Sequence, residues 1–365
     1  MNTDLLKNFF PFLFSLVITA VIIPAWINLC AKWKLFDKPD SRKHHTEVIP
    51  TLGGIAIFAG FIISFFLFSK FEFDNSMQFI IAASFILFFT GFFDDLTDIP
   101  AKRKLIIQTI TASLVIAGGI RTQSLNGFFG INEIPFAAQF ILSALIILFI
   151  TNAYNFIDGI NGLAAFIGLL VFGIFSTLFY LNGEANFSIL CYCVIGALTA
   201  FLYFNFDPAK IFMGDTGSLV IGFLISVCSI KLFSIHSAGN AIVASLTPSL
   251  IIGALFILIF DLSRVVFIRL FHGISPFKAD RSHLHHMVCR QEFGHKGATM
   301  ILVAFNLFFV ALAFVLSKLA VEMYLLICFC LAILLINSKV ISVFAIIRNK
   351  LVGEPKKKFG VNSSI

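Results

Sequence analysis

Charge is what this chain has least of. Only 12% of its 365 residues are Asp, Glu, Lys or Arg, about half the share of a soluble domain. In contrast, 59% are hydrophobic, and the mean hydropathy is +0.99. This excludes an ordinary water-soluble globular domain and points to a polytopic membrane protein. The seven cysteines contain no C-x-x-C pair. With their odd number and scatter through apolar segments, as in Cys191-Tyr-Cys193 and Cys328-Phe-Cys330, they indicate neither a disulfide framework nor a cysteine zinc site. No internal repeat is visible, which argues against a carrier built from related halves. A cleavable leader is not expected either. The apolar run 9–30 is longer than a signal core, Asp4 offsets Lys7, and no small-residue cleavage site follows. The 48 phenylalanines are read as lipid-facing and packing material.

What the chain does have is apolar length. A crossing helix needs about 20 mostly apolar residues. Eleven segments qualify or nearly so: 9–30, 52–69, 78–93, 105–120, 136–151, 163–181, 187–204, 218–233, 241–260, 299–316 and 319–336. The expected fold is therefore an all-α integral membrane protein of about 11 transmembrane helices, with residues 1–338 forming the membrane domain and 339–365 a basic tail. Of the Lys and Arg residues, 21 fall on the tail and the connections on its side, and five (Lys7, Lys70, Arg121, Lys231, Lys318) on the other. The positive-inside rule then places the N-terminus outside and the C-terminus in the cytoplasm. This distribution also accounts for the net charge of +7 without nucleic acid. Lys356-Lys357-Lys358 is expected to rest against anionic membrane lipids.

The same division sorts the polar chemistry. The outer connections are short and bland. The inner ones, about 31–51, 94–104, 151–162, 205–217 and 261–298, hold nearly every patterned Asp, His and Gly. In the first, Arg42, Lys43 and His45 suit phosphate, and Gly53-Gly54 permits close backbone approach. In the second, Asp94-Asp95 ends the third apolar run. Adjacent carboxylates there call for a cation or a raised pKa, suiting either a general base or a metal relay. Carboxylates at a helix C-terminus also oppose its dipole, and Lys102-Arg103-Lys104 could neutralise them.

The third connection, Thr151 to Gly162, repeats Asn152, Asn155, Asp158 and Asn161 at intervals of three. On a helix these form one polar stripe, until Gly159 and Gly162 break it. Polar groups at such a depth are costly and mark a site, with a solvated connector as the plainer alternative. The fourth, Phe212-Met-Gly-Asp215-Thr-Gly-Ser218, puts a carboxylate on a tight loop leading into an apolar helix, fit to hold Mg²⁺ against a diphosphate or simply to cap the helix. The fifth begins with Asp261-Leu-Ser-Arg264, read as a basic continuation of the ninth helix. It goes on to Arg281-Ser-His283-Leu-His285-His286, where anion binding is favoured over a metal site because Arg281 would repel a cation.

These five blocks, in this order, resemble the polyprenyl-phosphate N-acetylhexosamine-1-phosphate transferase family (glycosyltransferase family 4). The motifs are D-x-P-x-x-R-K-x-H and P-x-x-G-G in 37–54, D-D at 94–95, N-x-x-N-x-x-D-G at 152–159, F-M-G-D-T-G-S at 212–218 and R-x-H-x-H-H at 281–286. Asp98 stands where the phospho-MurNAc-pentapeptide translocase branch has Lys, which favours the WecA/TagO-like branch. Asn161 stands where several relatives have Asp.

The resemblance implies transfer of N-acetylhexosamine 1-phosphate, most simply GlcNAc 1-phosphate, from a UDP-sugar to undecaprenyl phosphate. UMP is released and the first lipid-linked intermediate of a cell-envelope polysaccharide is formed. It implies Mg²⁺, or Mn²⁺, held by Asp215 with Asn155, and a catalytic set of Asp94, Asp95 and Asp215. It assigns Phe212 to the uracil, Asp158 to the nucleoside, and Lys43 and His45 to phosphate or UMP. Arg281, His283, His285 and His286 are assigned to pyrophosphate and sugar. Asn152 joins the substrate-binding set, with bracing of the turn as its alternative. A bacterial inner membrane, an active site on the cytoplasmic face and a homodimer are likewise implied. A transporter of nucleotide-sugar or lipid-linked sugar is the rival, and the bland outer loops disfavour it.

Overall fold

The computed structural model describes residues 3–33, 49–69, 75–125, 127–235, 241–273, 275, 283–289 and 293–336. Among them the chain is helical, with one isolated antiparallel bridge between Ser124 and Glu133. The α-helices are α1 (Thr3–Trp33), α2 (Gly53–Phe68), α3 (Asn75–Thr97), α4 (Ala101–Ala117), α5 (Phe136–Ile157), α6 (Leu163–Leu181), α7 (Ala185–Asn205), α8 (Gly214–Ser234), α9 (Ala241–Ala254), α10 (Phe256–Phe271), α11 (Leu284–Val288), α12 (Gly294–Val315) and α13 (Val321–Ile336).

Each of the eleven expected apolar segments falls on helix, but their lengths differ. Among the described residues seven helices (α3, α5, α6, α7, α8, α12 and the Phe9–Trp33 part of α1) are long and apolar enough to cross a membrane, or eight if α9 and α10 count as one broken span. α2 and α13 are apolar but only 16 residues each, and α4 has 17. The chain is thus an all-helical, multi-pass membrane protein. Its outer surface agrees with this: Val21, Phe89, Ile106, Ile110, Phe136 and Val315 are among many large apolar side chains left exposed. An apolar surface of that extent requires a lipid or protein partner.

α8 is the axis of the fold. Of its most apolar window 89% is buried, and it packs against α2, α3, α5, α6 and α9. A helix apolar all round belongs in the interior. α1, α2 and α7 form a neighbouring group, in which the Ser15 hydroxyl donates to the Cys193 carbonyl at 2.6 Å.

The ninth apolar run contains a break that periodicity alone does not reveal. Leu246–Ala254 and Phe256–Phe271 meet at 60°, freeing backbone groups that hydrocarbon cannot satisfy. Asn306 of α12, fully buried, repairs the gap. Its Oδ1 accepts from Ile257 N–H at 3.0 Å and its Nδ2 donates to the Ala254 carbonyl at 2.9 Å.

Candidate active site

Four helix ends meet at one end of the bundle: the C-termini of α3 and α5 and the N-termini of α4 and α8. Asp94 and Asp95 lie in the last turn of α3, where their own helix dipole is unfavourable. The resolution is tertiary. The Asp95 carboxylate caps α8, accepting from Asp215 N–H at 2.8 Å, Thr216 N–H at 2.9 Å and the Thr216 hydroxyl at 2.6 Å. It sits where a helix N-terminus favours an anion. Asp94 instead accepts from Ile99 N–H and the Lys104 ammonium, both at 2.6 Å. Neighbours in sequence therefore have different work.

Lys104 is shared. Its Nζ lies 2.6 Å from Asp94 and 2.8 Å from Asp215. Burial would lower the pKa of this amine, but Asp215 and Asp94 outweigh that and hold it above the ordinary lysine value. Asp215 Oδ1 also accepts from Asn155 Nδ2 at 2.8 Å, and the same amide donates to the Ser218 hydroxyl oxygen at 2.8 Å. Asp94, Lys104, Asn155 and Asp215 thus form one connected polar cluster.

The glycines that the sequence suggested for ligand contact serve this turn. Gly54 N–H donates to the Met213 carbonyl at 2.9 Å, and Gly53 N–H to the Phe212 carbonyl at 2.8 Å. A Cβ on Gly54 would collide with the backbone of Gly217. The close approach that Gly53-Gly54 allows is therefore to the chain's own 212–217 segment. Gly214 adopts φ 72°, and a Cβ there would meet the Asp95 carboxylate at 2.5 Å. Only glycine suits both its backbone and its neighbour.

The polar stripe divides as the helix ends. Asn152 and Asn155 remain on α5, Asp158 stands just beyond Ile157, and Asn161 is in the following turn. Asn152 is engaged away from the carboxylates. Its Nδ2 donates to Gln108 Oε1 at 2.8 Å and the Leu148 carbonyl at 2.7 Å, while Gln108 Nε2 returns a bond at 3.3 Å. Asp158, half-buried, has its pKa held well above the usual carboxylate value by loss of water and then by the charges of Asp215 and Asp95. The Gly214 N–H acts in the opposite sense. Asn161 faces α12: its carbonyl accepts from the Thr299 hydroxyl at 2.8 Å, and its buried Oδ1 has no partner among the described residues.

The histidine block docks on the same turn. The His283 ring packs on Phe156 with centroids 5.0 Å apart, and His285 and His286 follow at 5.8 Å and 4.2 Å along the row. His283 and His285 are buried and His286 half-exposed. Burial, and after it the neighbouring His286, pushes the His285 pKa down to about 3, so its imidazole is neutral at physiological pH. Phe212 is half-exposed at the edge of the site. Lys43, His45 and Arg281 lie outside the described residues.

Three residues enter that the motifs did not single out. Lys104 was visible only as one of three adjacent cations. Asn205 joins two loops, accepting from Gly162 N–H and donating to the Ile211 carbonyl, both at 2.8 Å. Asp261 accepts from His283 Nδ1 at 2.8 Å. Its signal was a lone carboxylate at the end of an apolar run.

Among the described residues no group of three or more His, Cys, Asp or Glu is arranged as a metal cage. Mg²⁺ seldom uses one. It is held through one or two carboxylates with water and substrate phosphates completing the shell. The hard oxygens of Asp215 and Asn155 are of the kind that mode uses; here Asp215 Oδ1 accepts from Asn155 Nδ2 and Oδ2 from Lys104, so an ion bound there would have to share Asp215 with the Lys104 ammonium.

The comparisons agree with the geometry. The model of the family described as "Glycosyl transferase family 4" matches residues 77–233, which span α3 through α8 and with them the whole cluster around Asp215. The chain is 31% identical over 337 residues, 88% of each chain, to the Bacillus subtilis (strain 168) protein named probable undecaprenyl-phosphate N-acetylglucosaminyl 1-phosphate transferase. It is 29% identical over 310 residues, 83% of this chain and 80% of the other, to the undecaprenyl-phosphate alpha-N-acetylglucosaminyl 1-phosphate transferase of Yersinia pestis. The Salmonella typhi protein of the same name is 30% identical over 292 residues, 78% of this chain and 77% of its own. With the carboxylates, the shared lysine and the α8 turn all inside the matched region, the chain belongs to glycosyl transferase family 4.

Proposed function

We propose that this chain transfers N-acetylglucosamine 1-phosphate from UDP-N-acetylglucosamine to undecaprenyl phosphate and releases UMP. The observation that carries this reading is the meeting of Asp94 and Asp215 around Lys104, with Asn155 on Asp215, at one end of a lipid-facing helical bundle. The names of the relatives support the sugar phosphate and the lipid acceptor. In the transfer, a phosphate oxygen of the lipid becomes bonded to the sugar-bearing phosphorus. The bond from that phosphorus to the oxygen that departs with UMP is broken.

Phosphoryl-transfer catalysis is mostly positioning and charge neutralisation. Lys104 holds Asp94 and Asp215 together and offers a fixed positive charge beside the reacting phosphates. Asp94 orients the lipid phosphate and takes its proton when it carries one. Asp95 keeps the Asp215 turn in register through the α8 cap. Asp215 and Asn155 would hold Mg²⁺, for which Mn²⁺ can stand in; the ion, when bound, neutralises diphosphate charge. Phe212 stacks on the uracil, Asp158 lines the nucleoside, and Lys43, His45 and Arg281 supply cations for the phosphates.

The Lys and Arg distribution supports eleven crossings with the N-terminus outside, the C-terminus cytoplasmic and the site on the cytoplasmic face of a bacterial inner membrane. There the soluble nucleotide-sugar and the lipid phosphate can meet. The gathering of the Asp94, Lys104 and Asp215 cluster and the histidine row at one end of the bundle disfavours a transporter, which needs access from both sides.

The test incubates purified protein with UDP-N-acetylglucosamine, undecaprenyl phosphate and Mg²⁺ and measures UMP and the lipid-linked sugar. No UMP from any UDP-N-acetylhexosamine would refute the reading.

A further inference from the structure

Asp261 is the first charged residue after the ninth apolar run, and a carboxylate there is costly without partners. The structure surrounds it with donors from two elements. Its side chain is 4% exposed, and Oδ2 lies 2.8 Å from His283 Nδ1. Oδ1 accepts from Leu284 N–H at 2.8 Å and from Arg264 Nη2 at 3.3 Å. A carboxylate can only accept, so His283 Nδ1 carries a hydrogen and donates it to Asp261.

The rest of the ring is also set. One face lies on Phe156, at 32° between planes, and His285 is nearly parallel to it at 13°. Phe156 follows Asn155, which holds Asp215. Asp261 is thus linked to the carboxylate centre through the His283 and Phe156 rings and the adjacent Asn155, although it lies 46 positions from Asp215 in the chain. With Nδ1 engaged, Nε2 is the ring nitrogen left for a ligand.

We propose that Asp261 is a positioning residue of the transfer reaction. It holds His283 with Nδ1–H turned to its own carboxylate, leaving Nε2 to accept a hydrogen bond from a hydroxyl or amide N–H of the N-acetylhexosamine. This rests on the transferase reading above and adds how the sugar is recognised. A carboxylate that sets an imidazole tautomer without touching substrate acts through that imidazole, so its removal has little further effect once the imidazole is gone.

Two experiments on the full-length protein in lipid nanodiscs test it. In the first, ¹⁵N-histidine spectra of the wild type are assigned for His283 by comparison with His283→Asn. A protonated Nδ1 and unprotonated Nε2 are expected, and the opposite tautomer overturns the proposal whatever the activity. In the second, Asp261→Asn presents an amide N–H₂ to Nδ1 and so reverses the tautomer. KM for UDP-N-acetylglucosamine is expected to rise about tenfold, with kcat changed less, as for one lost hydrogen bond. In a His283→Ala background the same substitution is expected to change KM less than about twofold. An equal loss in both backgrounds, or none in the first with an active wild type, overturns the proposal. A wild type that releases no UMP defeats the transferase reading instead, and the tautomer measurement still decides the role of Asp261 without any Asp261 variant.

Discussion

Replacing Asp95 by Asn tests the division of labour between the two adjacent carboxylates. Asp95 accepts three hydrogen bonds at the start of α8, two from backbone N–H groups and one from the Thr216 hydroxyl, at 2.6 to 2.9 Å. An Asn keeps one acceptor oxygen and turns an N–H₂ toward a backbone N–H. With its oxygen kept on Thr216, the Asn loses the bond from Asp215 N–H and leaves the other two on a neutral acceptor; a bond to a charged acceptor is worth roughly 1.5–3 kcal/mol. Allowing for partial exposure, the expected destabilisation is about 3 kcal/mol, with the lost favourable interaction at the helix N-terminus included. In soluble domains of 150–250 residues that would be a fall of roughly 6–12 °C, and a larger chain should shift by several degrees. Asp94→Asn should behave differently, losing turnover while its unfolding midpoint falls less. The assay pairs thermal unfolding of the purified protein with UMP release measured well below the midpoint. If Asp95→Asn unfolded like the wild type yet was inactive, Asp95 would be a reacting group and the capping argument would be wrong.

The remaining predictions concern other contacts. Lys104→Gln should lower UMP release at least a hundredfold, a loss of about 3 kcal/mol of transition-state stabilisation, and Lys104→Arg should restore part of it. Equal activity of the Gln variant and wild type would refute the shared-cation role. His285, with its pKa depressed to about 3 from 6.5, binds a proton more readily unfolded than folded. Its contribution to stability is therefore complete above about pH 6.5 and lost progressively as pH falls toward about 3. Unfolding midpoints at about pH 7 and about pH 5 should separate more for the wild type than for His285→Gln, and an equal separation would contradict the burial argument. Asn152→Ala and Gln108→Ala should each lower the unfolding midpoint by a similar amount, and the double variant by little more. A fully additive double variant would show that the amide pair is not a unit.

Much of the molecule was legible in the chain because membrane helices are specified locally. A run of about 20 apolar residues has few alternatives in lipid, so the eleven segments coincide with helices. The motif around Asp215 was visible because a carboxylate between glycines before an apolar helix is a local pattern. The break between α9 and α10 was not visible. It depends on Asn306, about 50 positions away, being in place to satisfy Ala254 and Ile257.

The site shows the same boundary most clearly at Asp94-Asp95. The sequence by itself determined that two carboxylates end an apolar helix against its dipole, that they need positive or N–H partners, and that polar motifs gather in a few connections. Which carboxylate meets which partner was decided only when α3 and α8 packed side by side. A hydrogen bond depends on position to within a few tenths of an ångström, whereas the sequence specifies only order along the chain. So Asp95 became the cap of a helix that begins 119 positions later, Asp94 found Lys104 rather than Lys102 or Arg103, and Asp261 became the anchor of His283.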